Sequence, residues 1–338
     1  MSRRVAILGA TGLVGRTMVR ILETRAFPLD ELVLLASERS RSLTLPFRGA
    51  ELPVRAASEA AFAGVDLALF ATSAELSRHW APIARAAGAR VVDNSSAFRM
   101  DPAVPLVVPE VNGALLDARP ELVANGNCVA IPLVLTLHPL GALGRLERVV
   151  VASYQSVSGA GLDALEELER GIRGGLDGPP PARGDGGPPF AYNVVPHIDR
   201  FDAEGWTGEE RKIVNETRRM LSRPDLAITP TSVRVPVRVG HSAAVVAWFD
   251  RAVDPAAARA AWQAFPGVRV VDEPEHGRYP TPLDVEGLDD VLVGRVRRDA
   301  AEPRALAYFL ASDNLRKGAA LNAVQIAERM AGVTAAAR

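Results

Sequence analysis

Apolar and polar positions change their rhythm along the chain near residue 127. Before that point, short β-branched or Leu-rich runs at residues 5–8, 31–36, 65–70, 90–93 and 122–124 alternate with stretches at 13–25 and 74–87 whose apolar residues recur at helical spacing. Strand and helix in alternation predict a parallel sheet with crossover helices, a doubly wound Rossmann-type α/β domain over residues 1–127. After residue 148 longer strand-like runs take over, at 148–154, 226–237, 243–249, 290–297 and 305–312, with few helical stretches between them. They predict a second, α+β domain over residues 128–314 with a mixed or largely antiparallel sheet. The stretch GGLDGPPPARGDGGPP at 174–189 cannot sustain a helix or strand interior and is expected to be a surface loop. An amphipathic pattern at 319–330 predicts a C-terminal helix, within residues 315–338, that returns to the first domain. No internal repeat is visible.

Composition narrows the function. With 338 residues, 48% hydrophobic and 23% charged, the chain is long and apolar enough for two cored domains, which excludes disorder. Thirty-nine basic against forty acidic residues leave a net charge of −1. No basic excess points to nucleic acid or to an anionic membrane, so a small molecule is the expected partner. Apolar runs fall short of the ~20 residues a spanning helix needs, and the start reads as a first strand rather than a signal peptide. A cytoplasmic protein is expected. One cysteine, Cys128, excludes an intramolecular disulfide and a Cys-rich metal site. Lysine occurs only at 212 and 317 in a chain that otherwise uses arginine, which singles out those two sites as compact point charges.

The first glycine cluster, Gly9-Ala-Thr-Gly12-Leu-Val-Gly15, follows a strand and opens a helix, where glycines let backbone amides approach a pyrophosphate. Its spacing is G-x-x-G-x-x-G, and an ordinary glycine-rich turn shares that composition. The second strand ends Ala36-Ser37-Glu38-Arg39-Ser40. Arg39 suits a 2′-phosphate and favours NADP, whereas Glu38 suits the ribose hydroxyls of NAD. Cys128, in Asn125-Gly-Asn-Cys-Val, stands after a strand and at the start of an apolar helical run, so its thiol faces unpaired amides and the positive helix end. Of five histidines, His79, His138, His197 and His276 have structural readings. His241 follows Gly240 between two strands, where an imidazole at a sheet end can move a proton. Glu209, Lys212 and Glu216 fall at i, i+3 and i+7 of a helix predicted over 207–220 and share one face, either a functional face or a solvated ion pair.

Taken together, these segments resemble the aspartate-semialdehyde dehydrogenase family along nearly the whole chain. The matching stretches are GATGLVG, DNSSAFRMDPAVPLVVPEVN from Asp93, NGNC from Asn125, SYQSVSGAG from Ser153, EERKIVNET from Glu209, RVPVRVGHS from Arg234, YPTPLDVEG from Tyr279 and DNLRKGAALNAVQIAE from Asp313. The resemblance implies NADPH-dependent reductive dephosphorylation of aspartyl phosphate to the semialdehyde, at the entry to lysine, threonine and methionine synthesis, by a homodimer. It implies Cys128 as the nucleophile that forms an acyl-thioester, His241 as acid/base and Gln155 as the residue that orients the acyl group. Arg234 is implied for the substrate carboxylate, Glu209 for its ammonium, and Arg99 with Lys212 for phosphate. Gly9, Thr11, Gly12, Leu13, Val14, Arg39, Ser40, Ser158, Gly159 and Asn314 are implied for NADP. Two positions depart from the family pattern, Gly126 where proline is usual and Val129 where serine is usual. An acyl phosphate with a carboxylate, an ammonium and a dianionic leaving group calls for a bidentate Arg, an acid and two cations, which this residue set supplies. The alternatives are an enzyme like N-acetyl-glutamyl-phosphate reductase, whose substrate lacks the ammonium, and a non-catalytic paralogue that binds or regulates.

Overall fold

The structure is a computed structural model that describes residues 3–176 and 178–333. It divides into two units, the residues up to Gly126 with those from Ala319 onward, and Asn127–Gly318. The first unit runs β1 (Arg4–Leu8), α1 (Leu13–Thr24), β2 (Glu31–Ala36), β3 (Thr44–Phe47), β4 (Ala50–Ala56), β5 (Leu67–Phe70), α2 (Ala74–Ala86), β6 (Arg90–Asp93), β7 (Leu106–Val107), α3 (Pro109–Asn112) and β8 (Leu122–Asn125). Its sheet has the order β3-β4-β2-β1-β5-β6-β8-β7 and is parallel except at the β3–β4 edge hairpin. That hairpin and β7 are additions to the expected strands. The hairpin turns on Arg48 and Gly49, both at positive φ (50° and 78°), as a two-residue loop matched to strand twist requires. Interior strands such as β5 are buried at every position, as parallel strands covered on both faces must be.

The second unit runs α4 (Ala130–Leu137), β9 (Leu146–Gln155), α5 (Leu162–Gly174), α6 (Gly208–Met220), β10 (Ala227–Arg234), β11 (His241–Phe249), α7 (Pro255–Gln263), β12 (Val268–Val270), α8 (Pro282–Val285), β13 (Val291–Arg298) and β14 (Ala305–Ser312). Its sheet order is β10-β9-β11-β14-β13-β12, with parallel pairs at both edges and antiparallel pairs between. A mixed sheet was expected, but helices α5 and α7 correct the expectation of few helices. Asp254, which accepts from the Ala256 amide, and Pro255 in the first turn are the start signal of α7, and its Ala-rich body carries little apolar periodicity. On one face of the sheet, Trp262 of α7 packs on Tyr308 of β14 at 5.0 Å and donates from Nε1 to the Thr136 carbonyl of α4. The opposite face carries Val150, Ala152, Tyr154, Ala244, Val246, Trp248 and Phe309, none of them fully buried.

After β14 a π-helical turn (Arg316–Ala320) leads into α9 (Leu321–Met330), which rejoins the first unit's core beside α1. Glu328 there takes both Nε and an Nη of Arg25 at 2.7 Å. This helix ends at Met330, short of the expected 338, and residues 334–338 lie outside the described residues. Within the expected loop at 174–189, residue 177 lies outside them too, and after Gly174, which closes α5, the others form no helix or strand. Among the described residues no helix is long and apolar enough to cross a membrane.

Candidate active site

In the second unit the site begins with Asn127. Its carbonyl accepts the Ile131 amide at 2.9 Å, and its Oδ1 accepts the amides of Val129 (2.8 Å) and Ala130 (3.1 Å). Asn127 is therefore the true cap of α4, and Cys128 is the first residue inside the helix end. The cysteine is half-buried, not sealed in the interior. Helix dipole and first-turn amides favour a thiolate at such a position.

Asn127 also ties this turn to α6. Its backbone N–H donates to Glu216 Oε2 at 2.6 Å and its Nδ2 to Glu209 Oε1 at 2.9 Å. The start of α6 is set by a capping box between Thr207 and Glu210, which places Glu209 in the first turn and Glu216 two turns on. Both carboxylates are buried, so the expected common face of 209, 212 and 216 is largely internal rather than solvated. Gln155, at the end of β9, donates to the same Glu209 Oε1 and to Ser153 Oγ, each at 3.2 Å. Lys212 Nζ stands 3.7 Å from Glu209 Oε2, the anticipated i, i+3 pair, but 2.7 Å from Asp199 Oδ2. Burial works to raise the Asp199 carboxyl, and the hydrogen bond from Lys212 outweighs it with other contacts, holding the group below its ordinary value.

His241 opens β11 and Arg234 closes β10. Both are buried, and the Arg234 guanidinium donates from Nη1 to the Ser156 carbonyl at 2.7 Å. The His241 Nδ1 accepts the Ser156 amide at 3.1 Å and lies 3.0 Å from Ser156 Oγ. Its Nε2 is buried without a hydrogen-bond partner among the described residues. A Cβ on Gly159 would lie 3.0 Å from Arg234 Nη1 and 3.2 Å from His241 Nε2, so the absent side chain leaves room where guanidinium and imidazole converge. Burial pushes the His241 imidazole well below its ordinary value, and the Arg234 cation adds to the shift. Burial also lowers Arg234, while Cys128 and Glu209 act on it in the opposite direction. Cys128, Glu209, Arg234 and His241 thus share one electrostatic neighbourhood. Asn314 completes it, donating from Nδ2 to Ser158 Oγ at 2.9 Å and accepting the Gly240 amide on Oδ1 at 2.9 Å.

Arg234 lines a cavity of about 330 Å³ with Arg183, His197 and Asp199. The other histidines make ring contacts, His79 on Trp80, His138 on Phe265 and His197 on Phe201, apart from the exposed His276 beside Glu273. The second singled-out lysine, Lys317, is fully buried in the turn before α9. Its neighbour Gly318 packs on Cys128, since a Cβ there would lie 3.2 Å from Cys128 Cβ. Asn127, Ser156 and Asp199 were not singled out from sequence. Asn127 and Ser156 adjoin motif residues and carried a polar signal, whereas Asp199 is distant in sequence from any motif.

In the first unit, Gly9 has φ +84°, and a Cβ there would lie 2.2 Å from the Ala71 carbonyl oxygen. Gly15 is equally confined, with 2.2 Å to the Gly9 oxygen, whereas a Cβ on Gly12 would meet nothing nearer than 3.6 Å. The first and third glycines are required by packing, and the second leaves space outside the chain. No side chain caps α1, so the first-turn amides around Leu13 and Val14 suit an anionic group. A cavity of about 270 Å³ at the ends of β1 and β2 is lined by Gly9, Ala36, Ser37, Glu38, Thr72 and Trp80 among others. Ser40 Oγ lies 3.4 Å from Thr11 Oγ1, and Glu38 is ion-paired with Arg41 at 3.2 Å. These features fit a nicotinamide dinucleotide. Arg99, in the same unit, is buried and donates to the carbonyls of Asn125 and Asn94, each at 2.8 Å.

Comparison with known proteins places these two arrangements in a family context. Residues 4–118 match the profile described as semialdehyde dehydrogenase, NAD binding domain, and residues 137–317 that described as semialdehyde dehydrogenase, dimerisation domain. The aspartate-semialdehyde dehydrogenase of Aquifex aeolicus is 45% identical over 332 residues, covering 97% of this chain and 98% of that one. A crystal structure of aspartate semialdehyde dehydrogenase II from Vibrio cholerae matches at a TM-score of 0.94 and 41% identity, over 98% of this chain and 99% of that one. The same enzyme complexed with ASA matches at 0.94 and 40%, with the same coverage.

Proposed function

The chain belongs to the aspartate-semialdehyde dehydrogenase family, and from that premise we propose that it converts L-aspartyl 4-phosphate to L-aspartate 4-semialdehyde through an acyl-thioester on Cys128, with NADP as cofactor. The observation that carries this reading is the convergence of Cys128, at the head of α4, with Glu209, Arg234 and His241. Attack by the thiolate on the acyl phosphate forms the C–S bond and releases phosphate. NADPH, when bound, supplies the hydride that reduces the thioester. His241 moves the proton at the reacting oxygen, and Gln155, anchored on Glu209 and Ser153, orients the acyl group. Arg234 takes the substrate carboxylate: of the five N–H donors of a guanidinium, one is used on Ser156. Glu209 takes the ammonium, and Lys212 with Arg99 the phosphate.

Gly9, Thr11, Gly12, Leu13, Val14, Arg39 and Ser40 in the first unit, and Ser158, Gly159 and Asn314 in the second, are assigned to the dinucleotide. The Glu38–Arg41 pair favours NADP, because it engages the carboxylate that would otherwise serve the ribose of NAD. The buried Glu209 favours an amino-acid substrate over an N-acetylated one. A nucleophile at a helix head, beside a buried Arg and His, argues against a non-catalytic role. The uncovered apolar face of the second sheet supports a homodimer, and the chain is assigned to the cytoplasm. The test is the reverse reaction, semialdehyde plus phosphate with NADP and NAD in parallel, followed by nicotinamide absorbance. Reduction of NADP that is lost in Cys128→Ala is expected. Undiminished turnover by that variant would remove the thioester, and a faster rate with NAD would remove the cofactor assignment.

A further inference from the structure

Residues 183–187, in the stretch after α5, close into a turn. The Gly186 amide donates to the Arg183 carbonyl at 2.9 Å, the Arg183 amide to the Gly187 carbonyl at 3.2 Å, and the Gly187 amide to Asp185 Oδ1 at 2.9 Å. Gly186 has φ +79°, a conformation that favours glycine. Glu167 Oε1 of α5 accepts the Gly184 amide at 2.9 Å, and the Arg183 guanidinium stands 4.5 Å from the centre of the Phe190 ring. These contacts draw Arg183 inward, its side chain 19% exposed, while its ion-pair partner Asp185 is 63% exposed. Arg183 lines the same cavity of about 330 Å³ as Arg234, and its charge acts on Arg234.

We propose that Arg183 is a specificity-determining residue, a second guanidinium that faces the substrate carboxylate across this cavity and draws it onto Arg234. Of the five N–H donors of its guanidinium, two face Asp185, Nε at 3.0 Å and one Nη. The hydrogen bond from Arg183 holds the Asp185 carboxyl down to about 2, so both partners are charged at neutral pH. A carboxylate that faces water offsets such a cation only in part. The other acids on the cavity wall are engaged: Asp199 by Lys212 at 2.7 Å, Glu167 by the turn, and Asp163 in the first turn of α5, where helix amides suit it. Arg234 recognises the carboxylate by contact. Arg183 adds attraction that acts before contact and weakens with salt, so it belongs in KM rather than kcat. A substrate without the carboxylate gains nothing from it, which sharpens the demand for an anionic end.

This inference rests on the proposed reaction and on Arg234 as the carboxylate's partner, and the experiment separates them. Arg183→Gln, Asp185→Asn and Arg234→Leu are assayed for semialdehyde oxidation with saturating NADP and phosphate, at about 0.02 M and about 0.3 M sodium chloride. In Arg183→Gln the KM for the semialdehyde should rise about 3–10-fold at low salt, converging on wild type at high salt, with kcat and the KM for phosphate within about two-fold. Asp185→Asn keeps an oxygen for the Gly187 amide but removes the charge, and should lower the same KM about two-fold or more. Opposite signs are the mark of a charge, which a role in loop shape would not produce. A KM raised in both variants, raised for phosphate instead, or unmoved by salt would overturn the inference. A wild-type KM in Arg183→Gln beside a KM raised about 100-fold in Arg234→Leu would overturn it and leave Arg234 in place. A wild-type KM in Arg234→Leu would overturn the carboxylate assignment itself. If Arg183→Gln does not fold, Asp185→Asn decides, and a KM not below wild type at low salt overturns the inference.

Discussion

Replacing Asn127 separates two contributions that its side chain combines. Its Oδ1 caps α4 and its Nδ2 donates to the buried Glu209 carboxylate at 2.9 Å. Asn127→Ala removes both, the cap at about 1 kcal/mol and the hydrogen bond to a charged acceptor at about 1.5–3 kcal/mol, for a loss of about 2.5–4 kcal/mol. Asn127→Asp keeps the cap, since aspartate is as good an N-cap, and improves the interaction with the helix dipole by about 0.3–1 kcal/mol. It also sets a second carboxylate against Glu209. Two like charges at that separation repel by about 6 kcal/mol at an effective dielectric of about 20, before relaxation. Aspartate should therefore be at least as destabilising as alanine at pH 8, the reverse of what capping alone predicts. Repulsion raises the introduced carboxyl above its unfolded value, so its destabilisation is full above the folded-state pKa and fades as pH falls through it. The measurement is urea unfolding at pH 8 and pH 5 with an unchanged m-value. The Glu209 contact is refuted as the controlling interaction if Asn127→Asp is more stable than Asn127→Ala at pH 8, or if its deficit does not shrink toward pH 5.

The glycine turn and Arg39, proposed for the 2′-phosphate, give two further tests. Gly9→Ala should cost about 3 kcal/mol or more, because its Cβ meets a backbone oxygen and its φ is positive, whereas Gly12→Ala should keep the Tm and weaken dinucleotide binding. Equal Tm losses in the two variants would contradict the division of roles among the glycines. Arg39→Leu should raise the Kd for NADP about ten-fold or more, the equivalent of one charge-assisted contact, and leave the Kd for NAD within about two-fold. An unchanged Kd for NADP would remove Arg39 from the 2′-phosphate.

Much of the fold was legible because the strands of the first unit are buried on both faces and read as continuous apolar runs: β2 and β6 fall at 31–36 and 90–93, as expected from pattern alone. The edge hairpin β3–β4 was not, because half its residues face solvent and its turn uses an arginine at positive φ, which composition does not flag. Helix α7 hid in an alanine-rich stretch whose signal was its capping pair. At the site, motif position identified Cys128, Gln155, Glu209, Arg234 and His241 as a set, and the structure brings them together. What motifs cannot convey is the wiring: that Asn127 joins the thiol turn to two buried glutamates, that Ser156 grips the imidazole, and that Asp199 holds Lys212. Those contacts join residues 13 to 89 positions apart, and all but the shortest link separate elements of the second unit.

Of the cations proposed for the substrate, Arg234 and Lys212 differ in burial and in partner, and the difference suits them to different anions. Arg234 is enclosed, and a buried charge must meet a partner of matching shape or stay costly. A planar fork with donors to spare answers a carboxylate that keeps its place from substrate to product. Lys212 is about a third exposed and leans on Asp199 at 2.7 Å, so its ammonium ends a flexible stem with an acid already beside it. In the proposed reaction phosphate enters as part of the substrate and leaves as a free ion. A compact charge shared with an aspartate can release such a group, because the departing anion is replaced by a contact already formed. Under the proposed reaction, a lysine at position 212, in a chain that uses arginine almost everywhere else, suits a group that must be released.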